Sequence, residues 1–236
     1  MQDKFIVTEN VLEFNAICME LEDPASLIGP SLAMVTGPAG RGKSDTAEKY
    51  AINSDSAIYI PPMNVRSPGA LLREITYELC MLKPGRNEAC FEVIAEEMKK
   101  ERRVIIIDEA DLIPMQHLEM LRNLNQRFSC PIILMGENGL KRKVGSRQRI
   151  WSRIRRSLEF APIAKADIAL FFQESLGLEL EAEVVNLMHK KAKGDWRPVL
   201  VWAVNSENAM RTNDLSHLPL SIVKKVIGQY EKAQNR

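Results

Sequence analysis

Three glycines, a lysine and a serine occur at a fixed spacing in the segment Gly37-Pro38-Ala39-Gly40-Arg41-Gly42-Lys43-Ser44. Glycine lets the backbone curl so that consecutive N–H groups point at one anion, an arrangement that a Cβ would obstruct. A lysine and a hydroxyl at the end of such a loop are the groups that contact terminal phosphates and a Mg²⁺ ion. The segment is therefore predicted to be a phosphate-binding loop for a nucleoside triphosphate.

The segments on either side of this loop are those that a phosphate-binding loop requires. The apolar run Leu32–Thr36 before it is typical of a buried strand, and residues 44–53 after it are typical of a helix. The positive end of that helix would face the same phosphate oxygens. We expect ATP at this loop, with Lys43 on the β- and γ-phosphates and the Ser44 hydroxyl on Mg²⁺.

A second motif follows a buried strand further along the chain. Val104–Ile107 is an apolar, β-branched run typical of a strand covered on both faces, and it ends in Asp108-Glu109. Asp108 would hold Mg²⁺ and Glu109 would orient and deprotonate the attacking water, because phosphoryl transfer depends mainly on positioning and charge neutralisation. Acidic residues after a strand are also common helix caps, which is the alternative. The sequence Asp108-Glu109-Ala110-Asp111 is also typical of helicases, but 236 residues leave no room for the two nucleotide-handling domains of such a helicase.

Length and composition are those of an ordinary globular protein. The chain has 236 residues, of which 45% are hydrophobic and 27% are charged. This is enough for one α/β domain with a small appendage. The formal net charge of +1 excludes a strongly basic or acidic chain, so any electrostatic signal must be local.

The cysteines and the N-terminus bear on the cellular compartment. Four cysteines lie far apart without a Cys-x-x-Cys pair, so we expect reduced core thiols. The sequence has neither the apolar stretch of a signal peptide nor a run of about 18 apolar residues, which predicts a cytoplasmic protein without membrane contact. The three histidines are scattered without ligand spacing, which argues against a structural metal.

The periodicity of apolar residues divides the chain into two predicted domains. Short strands alternate with helices over residues 1–161, which predicts an α/β domain with a five-stranded parallel sheet covered on both faces. Only helical spacing remains over residues 162–236, which predicts a small all-helical domain. The predicted strands are 32–36, 57–60, 104–107, 131–135 and 157–160, and the predicted helices are 8–22, 44–53, 67–82, 87–100, 115–128, 165–176, 181–193, 198–208 and 220–233.

Four motifs together resemble those of a known protein family. They are Gly37-Pro-Ala-Gly-Arg-Gly-Lys-Ser44, Ile107-Asp-Glu-Ala-Asp111, Met135-Gly-Glu-Asn-Gly-Leu140 and Gly194-Asp-Trp-Arg197. In a sheet domain followed by helices they resemble the AAA+ ATPases, which are P-loop NTPases, and within them the branch of the MuB and TnsC transposition ATPases and the ExeA-type proteins. The resemblance covers nearly the whole chain, and it implies an AAA+ α/β domain followed by a helical lid domain.

The resemblance also implies roles for polar residues outside the first two motifs. A residue at the end of the strand after Asp108, sensor 1, would touch the γ-phosphate. Glu137 and Asn138 both fit, and Asn138 is preferred because a second carboxylate beside Glu109 would repel phosphate. The alternative is that either is simply a turn residue. Arg197 would be sensor 2, at the start of a lid helix. The predicted nucleotide contacts are then Gly37, Pro38, Ala39, Gly40, Arg41, Gly42, Lys43, Ser44, Asp45, Asp108 and Arg197.

By the same resemblance, Arg153 would be an arginine finger, supplied in trans to the γ-phosphate of a neighbouring subunit. Arg149 and Arg156 are close enough in sequence to take its place, and any of the three could instead lie on a solvated basic face. Neutralisation of charge by such an arginine is worth about 10³ to 10⁵ in rate in related systems. The predicted catalytic residues are Lys43, Glu109, Asn138 and Arg153.

Basic residues are concentrated in residues 141–156, where eight of sixteen residues are Lys or Arg and none is acidic. Copies of this segment in an oligomer would form a positive stripe that neutralises DNA phosphates without reading bases. The alternatives are a solvated face or a contact between protomers. The predicted DNA contacts are Lys141, Arg142, Lys143, Arg147 and Arg149.

The resemblance implies an ATPase that forms a homo-oligomer, a filament or a ring, on double-stranded DNA largely independently of sequence. Such a protein would direct target selection or activate a transposase in DNA transposition. Two alternatives remain open from the sequence. One is a nucleotide switch that regulates a protein partner, as in ExeA-like proteins, and the other is a replication initiator or loader ATPase.

Overall fold

Two units make up the part of the chain that the structure describes, residues 4–62 and 67–234 of a computed structural model. The sheet unit comprises residues 10–38 and 43–160. The helical unit comprises, among the described residues, 4–9, 39–42 and 161–234.

The sheet unit is built on five parallel strands. They are β1 (Leu32–Thr36), β2 (Ala57–Ile60), β3 (Val104–Ile107), β4 (Ile132–Gly136) and β5 (Ile154–Glu159). They pair in the order β2-β3-β4-β1-β5, and every pairing is parallel. The predicted five-stranded parallel sheet is therefore confirmed.

Helices cover both faces of this sheet, because the inner strands are apolar on both sides. Side chains of β3 alternate, with Ile105 and Ile107 in one apolar cluster and Val104 and Ile106 in the other. The helices associated with the sheet are α1 (Glu9–Glu22), α2 (Lys43–Asn53), α3 (Pro68–Cys80), α4 (Asn87–Lys100), α5 (Met115–Phe128), α6 (Gly139–Gly145) and α7 (Gln148–Trp151), with one turn of 3₁₀ helix at Pro24–Leu27.

The helical unit has a separate apolar core. Its helices are α8 (Lys165–Leu176), α9 (Ala182–Ala192), α10 (Trp196–Thr212) and α11 (Leu220–Gln234). Each helix contributes buried side chains to this core, for example Phe172, Met188, Trp202 and Val223. This core gives these helices their own source of stability.

Several element boundaries differ from the sequence predictions. β5 begins at Ile154 rather than at residue 157, and the short helices α6 and α7 were not predicted. All three overlap the basic segment, residues 141–156, where charged side chains interrupt the apolar period. α10 begins at Trp196, two residues before the predicted start, because Asp195 caps it by accepting a hydrogen bond from the Arg197 N–H (2.8 Å).

Cysteines lie mostly inside the structure. Cys18, Cys90 and Cys130 are buried, Cys80 at the end of α3 is partly exposed, and all four are free thiols. Burial raises the pKa of Cys130 to about 12. No helix in the described residues combines the length and apolar character that crossing a membrane requires.

Candidate nucleotide site

Three loops of the sheet unit meet at one edge of the sheet. β3, β4 and β1 are adjacent and parallel, so their carboxyl ends lie at the same edge. Residues after these ends include Gly37, Asp108 and Glu137. The carboxyl edge of a parallel sheet is where ligands of open α/β folds bind. Within the sheet unit, the structure thus brings together the start of the phosphate loop, Asp108-Glu109 and the sensor 1 segment.

Lys43 is the first residue of α2 and is only 8% exposed. Its ammonium donates hydrogen bonds to the carbonyl oxygens of Gly37 (2.7 Å) and Pro38 (2.9 Å). Ser44 and Asp45 follow it in the first turn of α2 and are exposed. A charged lysine and a hydroxyl at this helix N-terminus are the donors that a polyphosphate requires.

The loop glycine next to β1 is required by close packing. A Cβ on Gly37 would lie 3.2 Å from both the Cβ and the carbonyl oxygen of Phe160. Gly37 also has a φ of 152°, which side chains rarely adopt. A larger residue here would push β1 away from the chain that follows β5.

The Asp108 carboxylate is held at both oxygens. One oxygen accepts a hydrogen bond from the Glu109 N–H (2.7 Å), and the other accepts one from the Tyr59 hydroxyl (2.7 Å). Asp108 is 4% exposed, whereas Glu109 is exposed and has a φ of 47°. The buried carboxylate is thus oriented by protein donors, and the following carboxylate points away from the core.

Tyr59 of β2 was not singled out from the sequence, yet it contacts both predicted Mg²⁺ ligands. Burial, followed by the hydrogen bond to Asp108 and its charge, raises the pKa of the Tyr59 phenol, while a hydrogen bond with Ser44 acts in the opposite direction. The phenol therefore stays protonated and remains a donor. No local motif marks this tyrosine, because its partner lies 49 residues away in the sequence.

The residues at this edge fit Mg²⁺ bound with a nucleotide. Ser44 supplies a hydroxyl oxygen and Asp108 a carboxylate oxygen, and Mg²⁺ prefers one or two such ligands together with waters and substrate phosphates. The two side chains lie beside a common tyrosine hydroxyl. Among the described residues, no group of three or more His, Cys, Asp or Glu is placed to hold a metal ion by itself.

The sensor 1 candidates lie where β4 ends and α6 begins. Glu137 and Asn138 are both exposed, and the Glu137 N–H donates to an Asp111 carboxylate oxygen (3.0 Å). Asn138 is the residue before α6, and its side chain does not cap that helix. The amide of Asn138 is thus not used in holding the helix start.

The basic segment divides into exposed and internally bonded residues. Lys141, Arg142, Arg147 and Arg149 are exposed on or beside α6 and α7. Lys143 is half-buried, and its ammonium donates to the backbone carbonyl oxygens of Asp111 (2.7 Å) and Ile113. Burial lowers the pKa of Lys143, and the Asp111 charge partly offsets this. Of the five predicted DNA contacts, Lys143 is the one whose charged group is directed into the protein.

The three candidate finger arginines have different surroundings. Arg149 is exposed on α7, and Arg153 is half-buried just before β5. Arg156 within β5 forms an ion pair with Glu20 of the same chain (2.7 Å). The Arg153 carbonyl accepts a hydrogen bond from the Leu32 N–H (3.3 Å), which places Arg153 at the amino ends of β1 and β5.

The helical unit contains the loop residues 39–42 and the predicted sensor 2 arginine. Gly40 has a φ of 76°, and a Cβ there would lie 2.0 Å from an Asp195 carboxylate oxygen. The Gly40 carbonyl accepts a hydrogen bond from the Trp196 N–H (2.8 Å), and the Arg41 guanidinium donates to the Gly194 carbonyl. Arg197 is exposed in the first turn of α10.

Comparison with known proteins identifies the class of protein to which this chain belongs. Residues 28–144 match the AAA domain family. The AAA+ α/β fold is also that of Cdc6p from Pyrobaculum aerophilum, with a TM-score of 0.68 at 17% identity over 92% of this chain and 65% of that one. The RuvB Holliday junction branch migration motor of Thermotoga maritima gives a TM-score of 0.64 at 17% identity over 96% and 70% of the two chains. The protein is an AAA domain protein, and the predicted fold is confirmed.

Within this class, the chain is distantly related to the MuB-type transposition proteins. The Mu-like prophage FluMu DNA transposition protein B of Haemophilus influenzae is 28% identical over 177 residues, which are 68% of this chain and 59% of that protein. The ATP-dependent target DNA activator B of Escherichia phage Mu is 29% identical over 147 residues, 58% of this chain and 47% of that protein. The chain therefore aligns with only about half of the length of these relatives.

Proposed function

We propose that this protein is an ATPase that assembles with ATP on duplex DNA and directs target selection by, or activates, a transposase. The proposal is supported by its distant relationship to a DNA transposition protein B and to an ATP-dependent target DNA activator B. The AAA domain and the polar residues at the carboxyl edge of the sheet supply the nucleotide chemistry.

Residues of the sheet unit have separate tasks in ATP hydrolysis under this proposal. Lys43 would contact the β- and γ-phosphates, and Ser44 and Asp108 would hold Mg²⁺, which neutralises charge on the phosphate oxygens. Glu109 would orient the attacking water and accept its proton. Asn138 would contact the γ-phosphate as a neutral donor beside Glu109.

The position of Arg153 is the observation that carries the assembly proposal. Arg153 lies at the amino end of β1, beside Leu32, whereas the phosphate loop begins after Thr36 at the carboxyl end. A rise of about 3.3 Å per strand residue separates these two ends by roughly 13 Å, beyond the reach of an arginine side chain. Arg153 would therefore serve the nucleotide of another copy, so that bound ATP links neighbouring subunits.

DNA binding is proposed for the exposed basic residues of α6 and α7. Lys141, Arg142, Arg147 and Arg149 present their charges to solvent on a chain whose net charge is only +1. Repetition of these charges along an oligomer would neutralise successive phosphates and release counterions. Binding should be insensitive to sequence and should weaken steeply with salt.

Electron microscopy with duplex DNA tests this proposal directly. We expect ordered oligomers on DNA with a slowly hydrolysed ATP analogue and their loss with ADP. Glu109→Gln removes the proposed base but keeps the side-chain size, so it should form the same oligomers with ATP itself. Lys43→Ala should form none, because it lacks the phosphate contact.

Two outcomes would contradict the proposal. Monomers alone in the presence of both DNA and the analogue would exclude ATP-dependent assembly and favour a nucleotide switch acting on a protein partner. Oligomers that form equally well with ADP would separate assembly from the γ-phosphate.

A further inference from the structure

Lys143 is the basic residue of α6 whose charge is used inside the sheet unit. Its ammonium donates to the carbonyl oxygens of Asp111 (2.7 Å) and Ile113, both in the turn formed by residues 108–113, which begins with Asp108-Glu109. The residue is half-buried, while Lys141 and Arg142 on the same helix are exposed. Two of the hydrogen bonds that this ammonium can donate are therefore made to the protein, and they are not available to a DNA phosphate.

The turn that Lys143 contacts contains a backbone conformation that must be held in place. Glu109 has a φ of 47°, in the left-handed region. This conformation is unfavourable for a residue with a Cβ, and it persists only where surrounding contacts enforce it. Within the turn, the Glu109 carbonyl accepts a hydrogen bond from the Leu112 N–H (2.9 Å), and the Glu109 N–H donates to Asp108 (2.7 Å).

Two further contacts attach the same turn to the end of β4. The Ala110 N–H donates to the Met135 carbonyl (2.7 Å), and an Asp111 carboxylate oxygen accepts a hydrogen bond from the Glu137 N–H (3.0 Å). A Cβ on Gly136 would lie 2.2 Å from that same carboxylate oxygen, so β4 and the turn are in direct contact. Lys143 adds the connection between the turn and α6.

We propose that Lys143 is a positioning residue for the turn that carries Glu109, and that it does not contact DNA. It fixes the backbone at Asp111 and Ile113, and through this backbone it fixes where the Glu109 carboxylate meets the attacking water. The inference rests on the proposed role of Glu109 in hydrolysis. Displacing such a group by about 1 Å can cost about 100-fold in rate, even when the substituted residue is remote from the chemistry.

Lys143→Met provides the main test, because it keeps the length of the side chain and removes the ammonium. We expect kcat without DNA to fall about 10- to 100-fold, with the KM for ATP nearly unchanged, because ATP binding does not depend on Glu109. DNA affinity should match that of the wild type. Lys99→Met, the same change at an exposed position of α4, is the control for a lost surface charge.

A DNA-binding comparison separates the two roles for Lys143. Lys141→Met should weaken DNA binding and lower the slope of log affinity against log salt by about 1, as expected for loss of one phosphate contact. Lys143→Met should leave that slope unchanged. A lowered slope together with a wild-type kcat would overturn the proposal and assign Lys143 to DNA.

Hydrogen exchange gives a readout that does not depend on activity. In Lys143→Met, amides of residues 108–113 should exchange faster, while those of β1 keep their protection. If the wild type does not hydrolyse ATP, the proposed function fails. The exchange result then still shows whether Lys143 holds the turn in place. Unchanged exchange would overturn the inference about Lys143.

Asp111→Ala is the second variant, for use if Lys143→Met does not melt cooperatively. It removes the contact with Glu137 while leaving every basic residue in place. It should also lower kcat at an unchanged KM. If both variants fold, the double variant should lose less than the sum of the two effects, because both act on one turn. Wild-type kcat in Asp111→Ala would overturn the proposal.

Discussion

The Tyr59 hydroxyl orients the Asp108 carboxylate, which accepts hydrogen bonds at both of its oxygens. A carboxylate fixed in this way loses little conformational freedom when it binds a cation. Residues that orient metal ligands typically contribute 10- to 100-fold to metal affinity. Tyr59 is thus expected to affect Mg²⁺ binding, although it belongs to neither nucleotide motif.

Tyr59→Phe tests this role at the level of one oxygen atom. We expect the Mg²⁺ concentration for half-maximal binding of a fluorescent ATP analogue to rise about 10-fold, because Asp108 loses one orienting donor. Nucleotide affinity measured in EDTA should not change. Tyr77→Phe, which removes a hydroxyl from α3 outside the site, is the matched control. An equal Mg²⁺ requirement in Tyr59→Phe and the wild type would refute the role of the hydroxyl.

The elements of this protein differ in how clearly their sequences reveal them. Ala57–Ile60 and Val104–Ile107 have the predicted bounds, because buried strands leave apolar, β-branched runs between turn residues. In β5, by contrast, Arg155 and Arg156 interrupt the apolar pattern by which a buried strand is predicted. Both side chains lie near Glu20 on α1 rather than in an apolar core.

The candidate site also has parts that the sequence reveals and parts that it does not. The glycine loop and Asp108-Glu109 are contiguous motifs, so the sequence reveals them directly. The contacts of Tyr59 and Lys143 join residues 49 and 30 or more positions apart, and only the folded chain brings them together. Lys143 was predicted to bind DNA because a run of charges does not reveal which side chain turns inward.

Two glycines at the junction of β4 and α6 provide a test at the element level. A Cβ on Gly136 would collide with the Asp111 carboxylate, whereas a Cβ on Gly139 would have no neighbour within 4 Å. We expect Gly136→Ala to lower the free energy of unfolding by about 1–3 kcal/mol, as for other overpacked sites. Gly139→Ala should stabilise by up to about 1 kcal/mol, because alanine favours a helix. Urea denaturation of both variants would measure the difference, and equal values would contradict the packing at Gly136.

At the scale of the whole molecule, the two ends of the parallel strands have different proposed tasks. The carboxyl ends carry the residues proposed to bind the nucleotide, and the amino ends of β1 and β5 carry Arg153. A site completed across subunits in this proposed way would couple hydrolysis to assembly, because a monomer would lack one of the required charges. The proposed contact would be heterologous, so it could close a ring or continue as a filament.

Mixing two inactive variants tests this shared site. Lys43→Ala lacks the phosphate contact and Arg153→Ala lacks the finger, so each alone should hydrolyse ATP slowly. In a mixture, the intact phosphate loop of Arg153→Ala can meet the intact Arg153 of Lys43→Ala, so mixed interfaces should be complete although Lys43→Ala alone does not assemble. Turnover should therefore rise above that of either variant, as measured by phosphate release. No increase on mixing, with oligomers present, would rule out Arg153 as the residue acting in trans.

The unequal burial of the cysteines has a practical consequence for following assembly. Cys18, Cys90 and Cys130 are buried, while Cys80 at the end of α3 is partly exposed. A maleimide fluorophore applied briefly to the folded protein should thus label Cys80 selectively, since thiolate character and access govern alkylation. Dyes attached at this one position would let energy transfer between labelled copies report subunit association in real time.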